Sequence, residues 1–136
     1  MSTYVPAALR RQVIERAGDR CEYCRFPQSL TLLAFEMEHI IAEKHGGTTS
    51  LENLALACPY CNRAKGTDLG SIDPETRQLT PFFNPRTQNW YEHFKLSGAT
   101  IAPLTAEGRV TVTIFQLNHP DRLHERERLL KIGHYS

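Results

Sequence analysis

Apolar positions along the chain come in short, separate runs, and each run has its own period. From Pro6 to about Ala17 they fall at Leu9, Val13 and Ala17, four residues apart, with Arg10, Arg11 and Arg16 between them and Gly18 immediately after. That spacing predicts an amphipathic helix stopped by glycine. From Met37 to Ile41 polar and apolar residues alternate until two isoleucines adjoin, which predicts a strand ending against a core. His45-Gly46-Gly47 reads as a turn, because glycine adopts positive φ without steric cost. SLENLALA, at 50–57, reads as a short strand returning beside the first. Cys58-Pro59 then opens a short helix that Gly66 closes, with Arg63 and Lys65 in its last turn, where cations suit the helix dipole.

The second half of the chain is less regular. Residues 67–94 read as loop, with turns at Asp73-Pro74 and Asn84-Pro85. Pro81-Phe82-Phe83 and Trp90-Tyr91 are expected to pack on the preceding unit rather than to stack bases. Phe94 to Leu104 predicts a hairpin turning at Ser97-Gly98. In TAEGRVTVTIFQLN, Val110, Val112 and Ile114 alternate as in a strand. Thr105 as an N-cap, with Val110, Ile114 and Leu117 at helical spacing, argues for a helix, and the helix is the expectation adopted. A last helix is expected from Pro120 to near Gly133, with Leu123 and Leu130 on its apolar edge and charge pairs elsewhere.

Length and composition add limits. A chain of 136 residues, 40% apolar and 23% charged, suits one soluble domain spanning 1–136, with a core motif at 21–66 and an extension at 67–136. The net charge of +1 neither requires nor forbids a nucleic-acid partner, so any such surface must gather its Lys and Arg locally. No apolar run approaches the length of a membrane span, and the N-terminal segment lacks a secretory pattern, so a cytoplasmic location with reduced thiols is expected.

Reduced thiols change how the four cysteines read. Cys21 with Cys24, and Cys58 with Cys61, form two C-x-x-C knuckles. Two knuckles can present four thiolates tetrahedrally to one Zn²⁺, whereas a redox dithiol needs only one pair and usually a βαβ setting. A disulfide framework would need an oxidising compartment. Structural zinc is therefore the expected cofactor, and a site closed by four sulfurs has no open position for substrate.

The stretch EHIIAEKHGGTTSLENLALACPYCNRAKG, preceded by Cys21 and Cys24, resembles the HNH endonuclease family in its zinc-stapled, stand-alone bacterial form. The FNPRTQNW stretch and the C-terminal tail are similar to the same subfamily more loosely. The resemblance implies an α+β fold: a ββα-metal finger with structural zinc, flanked by an N-terminal helix and a C-terminal hairpin and helical extension. It implies metal-dependent hydrolysis of phosphodiester bonds, with nucleic acid, DNA first, as partner. On the matching positions, His39 would be the general base, since imidazole exchanges a proton near neutral pH. Asn53 would brace the loop that orients His39. Glu38 and Asn62 would give oxygens to a catalytic Mg²⁺ or Mn²⁺ that otherwise keeps water. Asp is commoner than Glu at the first of these positions. Glu36 is expected to be solvated, and His45 and Lys65 could contact phosphate or simply lie at the surface. Attack on phosphorus would leave 3′-hydroxyl and 5′-phosphate ends. The competing reading is a non-catalytic zinc-dependent nucleic-acid-binding or interaction module, which needs the four cysteines but not Glu38, His39 and Asn62 together.

Overall fold

The computed structural model describes residues 4–135; Met1–Thr3 and Ser136, the ends of the expected domain, lie outside the described residues. Helix α1 (Ala7–Ala17) ends on Gly18 in the left-handed region, as the sequence predicts, and buries Val13. Its Arg16, although exposed, donates to the carbonyls of Leu51 and Leu54, at 2.7 and 2.5 Å, and so pins the helix to the finger.

Strand β1 (Glu36–His39) is shorter than expected, because Ile40 already turns into the following loop. It pairs antiparallel with β2 (Leu54–Ala57), Glu38 opposite Ala55 and His39 opposite Leu54. All four β2 residues are buried, with α1 and α2 packed against this small sheet. Gly46 sits at φ 91°, as the turn expectation requires. Gly47 has a different reason: a Cβ there would lie 1.6 Å from the Ile41 carbonyl oxygen, so only glycine lets the loop close. Helix α2 (Pro59–Lys65) follows β2 directly, with Pro59 at its first turn and Gly66 past its end.

The stretch read as loop holds a further hairpin, β3 (Gly70–Ile72) with β4 (Leu79–Pro81). Each strand is three residues long and carries no clear alternation, so its stability comes from elsewhere. Asp73, fully buried at the turn, accepts from the backbone of Glu75 and Thr76 and takes a two-pronged bond from Arg109 at 2.9 and 2.8 Å. Arg109 lies on α4 (Ala106–Ile114), the segment for which the helix expectation proved right, capped by the Thr105 hydroxyl on Gly108 N. A one-turn helix α3 (Trp90–His93) leads into the expected hairpin, β5 (Phe94–Ser97) and β6 (Thr100–Pro103), whose turn places Gly98 at φ 60°.

Helix α5 (Pro120–Lys131) forms where expected but presents another face. Its buried residues are Arg122, Arg126 and Leu129, while Leu123 and Leu130 are only half-buried. The aromatic residues Phe82, Phe83, Trp90, Phe94 and Phe115 join the cysteines and β2 in one buried cluster, as expected for packing. Tyr91 stays half-exposed with Arg25 stacked over its ring at 5.3 Å.

Candidate metal centre and active site

The two knuckles fold alike because their spacing is alike. The backbone N–H of Cys24 points to the Cys21 sulfur at 3.5 Å, and that of Cys61 to the Cys58 sulfur at 3.4 Å. The second contact also caps α2, so the sulfur that closes the helix belongs to the cluster. All four cysteines are buried and free, and their sulfurs lie within 4.8 Å of one another. Four sulfurs at ~2.3 Å from one tetrahedral ion stand ~3.8 Å apart; Cys24 and Cys58 are separated by 3.7 Å. Electrostatics agree. Burial pushes the Cys21 and Cys61 thiols well up, while hydrogen bonds from the other three sulfurs hold Cys24 well down. A divalent cation is what would let all four clustered thiols deprotonate together. The donor set fits Zn²⁺.

The extension closes this centre. Arg122 reaches from α5 to the Cys61 sulfur at 3.1 Å and the Cys58 sulfur at 3.7 Å, with its other arm on the Phe115 carbonyl at 2.8 Å. Burial alone would lower its affinity for a proton, but the charges of Cys61, Cys24 and Cys58 outweigh burial and raise it. The Tyr135 hydroxyl donates to the Cys24 carbonyl, and the Trp90 indole donates to the Tyr23 carbonyl at 2.8 Å.

Glu38 and His39 are successive strand residues, so their side chains leave opposite faces. Glu38 points inward, 3% exposed. Its Oε1 is 2.6 Å from the Lys65 ammonium, and its Oε2 accepts from the Tyr23 hydroxyl at 2.8 Å. The Lys65 contact is a charge pair without good hydrogen-bond alignment at Oε1, and the ammonium also donates to the Ile40 carbonyl at 2.8 Å. Burial pushes the Glu38 carboxyl up, and Lys65 and then Tyr23 pull it back. Lys65 is thus buried rather than a surface or phosphate-facing cation, and the carboxylate of Glu38, the expected cation ligand, is engaged by Lys65 and Tyr23. Glu36, by contrast, is exposed as expected.

His39 is half-buried, and its Nε2 meets the Thr49 hydroxyl at 2.9 Å. No described residue bonds its Nδ1. Asn53 does not touch the imidazole. Its Oδ1 accepts from Ile41 N, and its Nδ2 donates to the carbonyls of Ile41 and Thr48, at 2.8–2.9 Å, so it clamps the loop that begins after His39. Asn62 follows Cys61 on α2. Cys61 and Lys65, four apart, share the buried face, and Asn62 is turned roughly 100° from them. It is half-buried, and its side-chain amide makes no hydrogen bond to a described residue. His45 rests on the Thr67 carbonyl at 3.2 Å.

Sequence reasoning passed over Tyr23, Thr49 and Arg122. Tyr23 sits between two cysteines and Thr49 in a polar loop, with no pattern to mark either. Arg122, Arg126 and Leu129 do fall at helical spacing, but two charges on a seemingly solvated helix conceal the buried face.

Among the described residues, no helix is long and apolar enough to cross a membrane. The family model for HNH endonuclease matches residues 21–68. The Septu protein PtuB of Bacillus thuringiensis is 24% identical over 117 residues, covering 85% of this chain but 43% of that protein, so this chain spans less than half of the relative's length. No solved structure matches. The match begins at the first knuckle and runs past the second, so β1, β2, α2 and the four-cysteine cluster all lie in the segment that is similar to the HNH endonuclease family.

Proposed function

We propose that the chain is a nuclease that hydrolyses phosphodiester bonds in DNA, with His39 as the general base. The observation that carries this reading is the imidazole itself. It stands on an HNH-family strand, anchored at Nε2 by Thr49 and with Nδ1 unused. With the Nε2 proton donated to the Thr49 hydroxyl, the Nδ1 lone pair is the one that can take a proton from water. The resulting hydroxide attacks phosphorus and expels the 3′-oxygen. Asn53 holds the loop around His39 in place, and the imidazole keeps its aim because Thr49 restricts its rotation.

Zinc in the four-cysteine cluster is structural in this reading: it ties the first knuckle to α2 and leaves no open coordination position. The Asn62 amide makes no hydrogen bond to a described residue, so with water it would hold a catalytic Mg²⁺ or Mn²⁺, and Glu38 would join it only on leaving Lys65. Such a cation supplies charge stabilisation to the phosphoryl oxygens in the transition state.

One observation favours the second reading, a zinc-dependent binding module without catalysis: the Glu38 carboxylate is taken by Lys65. Cleavage of plasmid and single-stranded DNA, with Mg²⁺, with Mn²⁺ and after chelation, separates the two. The nuclease reading expects divalent-dependent cleavage that falls ~10²–10⁴-fold in His39→Ala, with zinc content unchanged. Tight DNA binding without cleavage, or His39→Ala turning over like wild type, overturns it.

A further inference from the structure

We propose that Arg122 is a working part of the metal centre: a cation from the C-terminal extension whose guanidinium hydrogen-bonds the Cys61 and Cys58 sulfurs and tightens binding of the metal. This rests on the zinc reading of the cluster and is independent of catalysis.

Four thiolates around a divalent ion form, formally, a dianion. Buried in a low-dielectric core, that charge is costly unless a neighbouring group offsets it. Arg122 is 8% exposed, and one nitrogen of its fork lies 3.1 Å from one sulfur and 3.7 Å from another. Its place is determined independently of the sulfurs. The other nitrogen caps the C-terminal end of α4 at the Phe115 carbonyl, where a cation also suits the helix dipole, and the guanidinium stacks over Tyr60 at 5.6 Å. Arg126, one turn further along α5, is also buried but is occupied by the carbonyls of Ala99 and Leu117. The two arginines therefore divide the work: Arg126 fixes the helix, and Arg122 carries charge to the cluster. A charge-assisted N–H···S bond lowers the energy of the sulfur lone pairs and makes the thiolate a poorer target for protons and competing electrophiles. The matched family segment ends at residue 68, so this contribution comes from outside it.

The test measures zinc affinity by chelator competition on the full chain, together with the sulfur-to-metal charge-transfer band of the cobalt(II)-substituted protein. Arg122→Met keeps the length and removes charge and fork; Arg122→Lys keeps the charge alone. Leu129→Ala, on the same buried face of α5 without a bond to the cluster, controls for loosening of the helix. We expect Arg122→Met to lose ~10–100-fold in affinity, Arg122→Lys less, and the cobalt band to move to longer wavelength in both, with Leu129→Ala near wild type. If Arg122→Met does not fold with metal, the band shift in Arg122→Lys decides alone. Wild-type affinity and an unshifted band in the Arg122 variants overturn the proposal. So does an equal affinity loss in Leu129→Ala with no band shift in any variant. Wild-type protein that binds no zinc would sink the zinc reading itself, which is a different outcome.

Discussion

Replacing Lys65 with Met should destabilise the finger far more than it disturbs any contact with substrate. The side chain is 2% exposed and its ammonium faces an equally buried Glu38 at 2.6 Å. Methionine keeps the length but leaves that carboxylate without a counter-charge, and breaking a buried pair from one side costs ~3–5 kcal/mol. The carbonyls of Ile40 and His39, now bonded by Lys65 at 2.8 and 3.3 Å, lose a donor as well. Against a total stability on the order of 5–15 kcal/mol this is a large fraction, and it corresponds to a fall in melting temperature of about 10–20 °C. Urea and thermal unfolding should be measured at one fixed free zinc concentration, because bound metal adds its own stabilisation. The partner substitution sharpens the test. Glu38→Gln combined with Lys65→Met removes both charges while the amide can still accept from Tyr23, so the double variant should recover ~0.5–3 kcal/mol relative to Lys65→Met alone. The reasoning fails if Lys65→Met stays within ~0.5 kcal/mol of wild type, the range of an ordinary surface change. It fails too if the double variant is no more stable than the single. A phosphate-contacting Lys65 would behave differently, leaving the melt unchanged and reducing the salt dependence of DNA binding.

Further outcomes follow from the same geometry. Cys58→Ser should lose zinc and most of the folded population, since that sulfur both belongs to the cluster and caps α2, and a melt like that of wild type would contradict it. Asn62→Ala should keep zinc and melting temperature but need more Mg²⁺ or Mn²⁺ for cleavage; superimposable cation titrations would show that Asn62 holds no cation. Asp73→Asn should destabilise the β3–β4 hairpin most at neutral pH. The Arg109 hydrogen bonds, opposed by burial, hold the Asp73 carboxyl well below the usual range. A depressed folded-state value contributes stability above the unfolded value of about 3.9 and loses it as pH falls from there. The gap between variant and wild type should therefore begin to narrow as pH falls below about 4, and a gap constant from pH 7 to pH 3 would remove Arg109 from the account.

The sequence by itself determined the parts whose physics is local. Two C-x-x-C spacings set two like turns with their sulfurs turned inward, Pro59 and Gly66 bounded α2, Gly46 and Gly98 took the positive φ their turns need, and Gly47 left the room a Cβ would fill. Thr105 could be read as a cap because its partner, Gly108, is three residues away. Tertiary structure decided whatever depended on partners distant in the chain. Whether Glu38 would be a ligand or half of a buried pair turned on where Lys65 and Tyr23 came to lie, 27 residues after it and 15 before it. Three-residue strands at β3 and β4 carry too little pattern to be recognised, and they persist because Arg109 reaches their turn from α4. Arg122 and Arg126 read as solvated charges until α5 is docked over the sulfurs and over the turn of the last hairpin. Periodicity records which face of a helix is apolar; it does not record a buried face whose charges are matched by thiolates and carbonyls brought in from elsewhere.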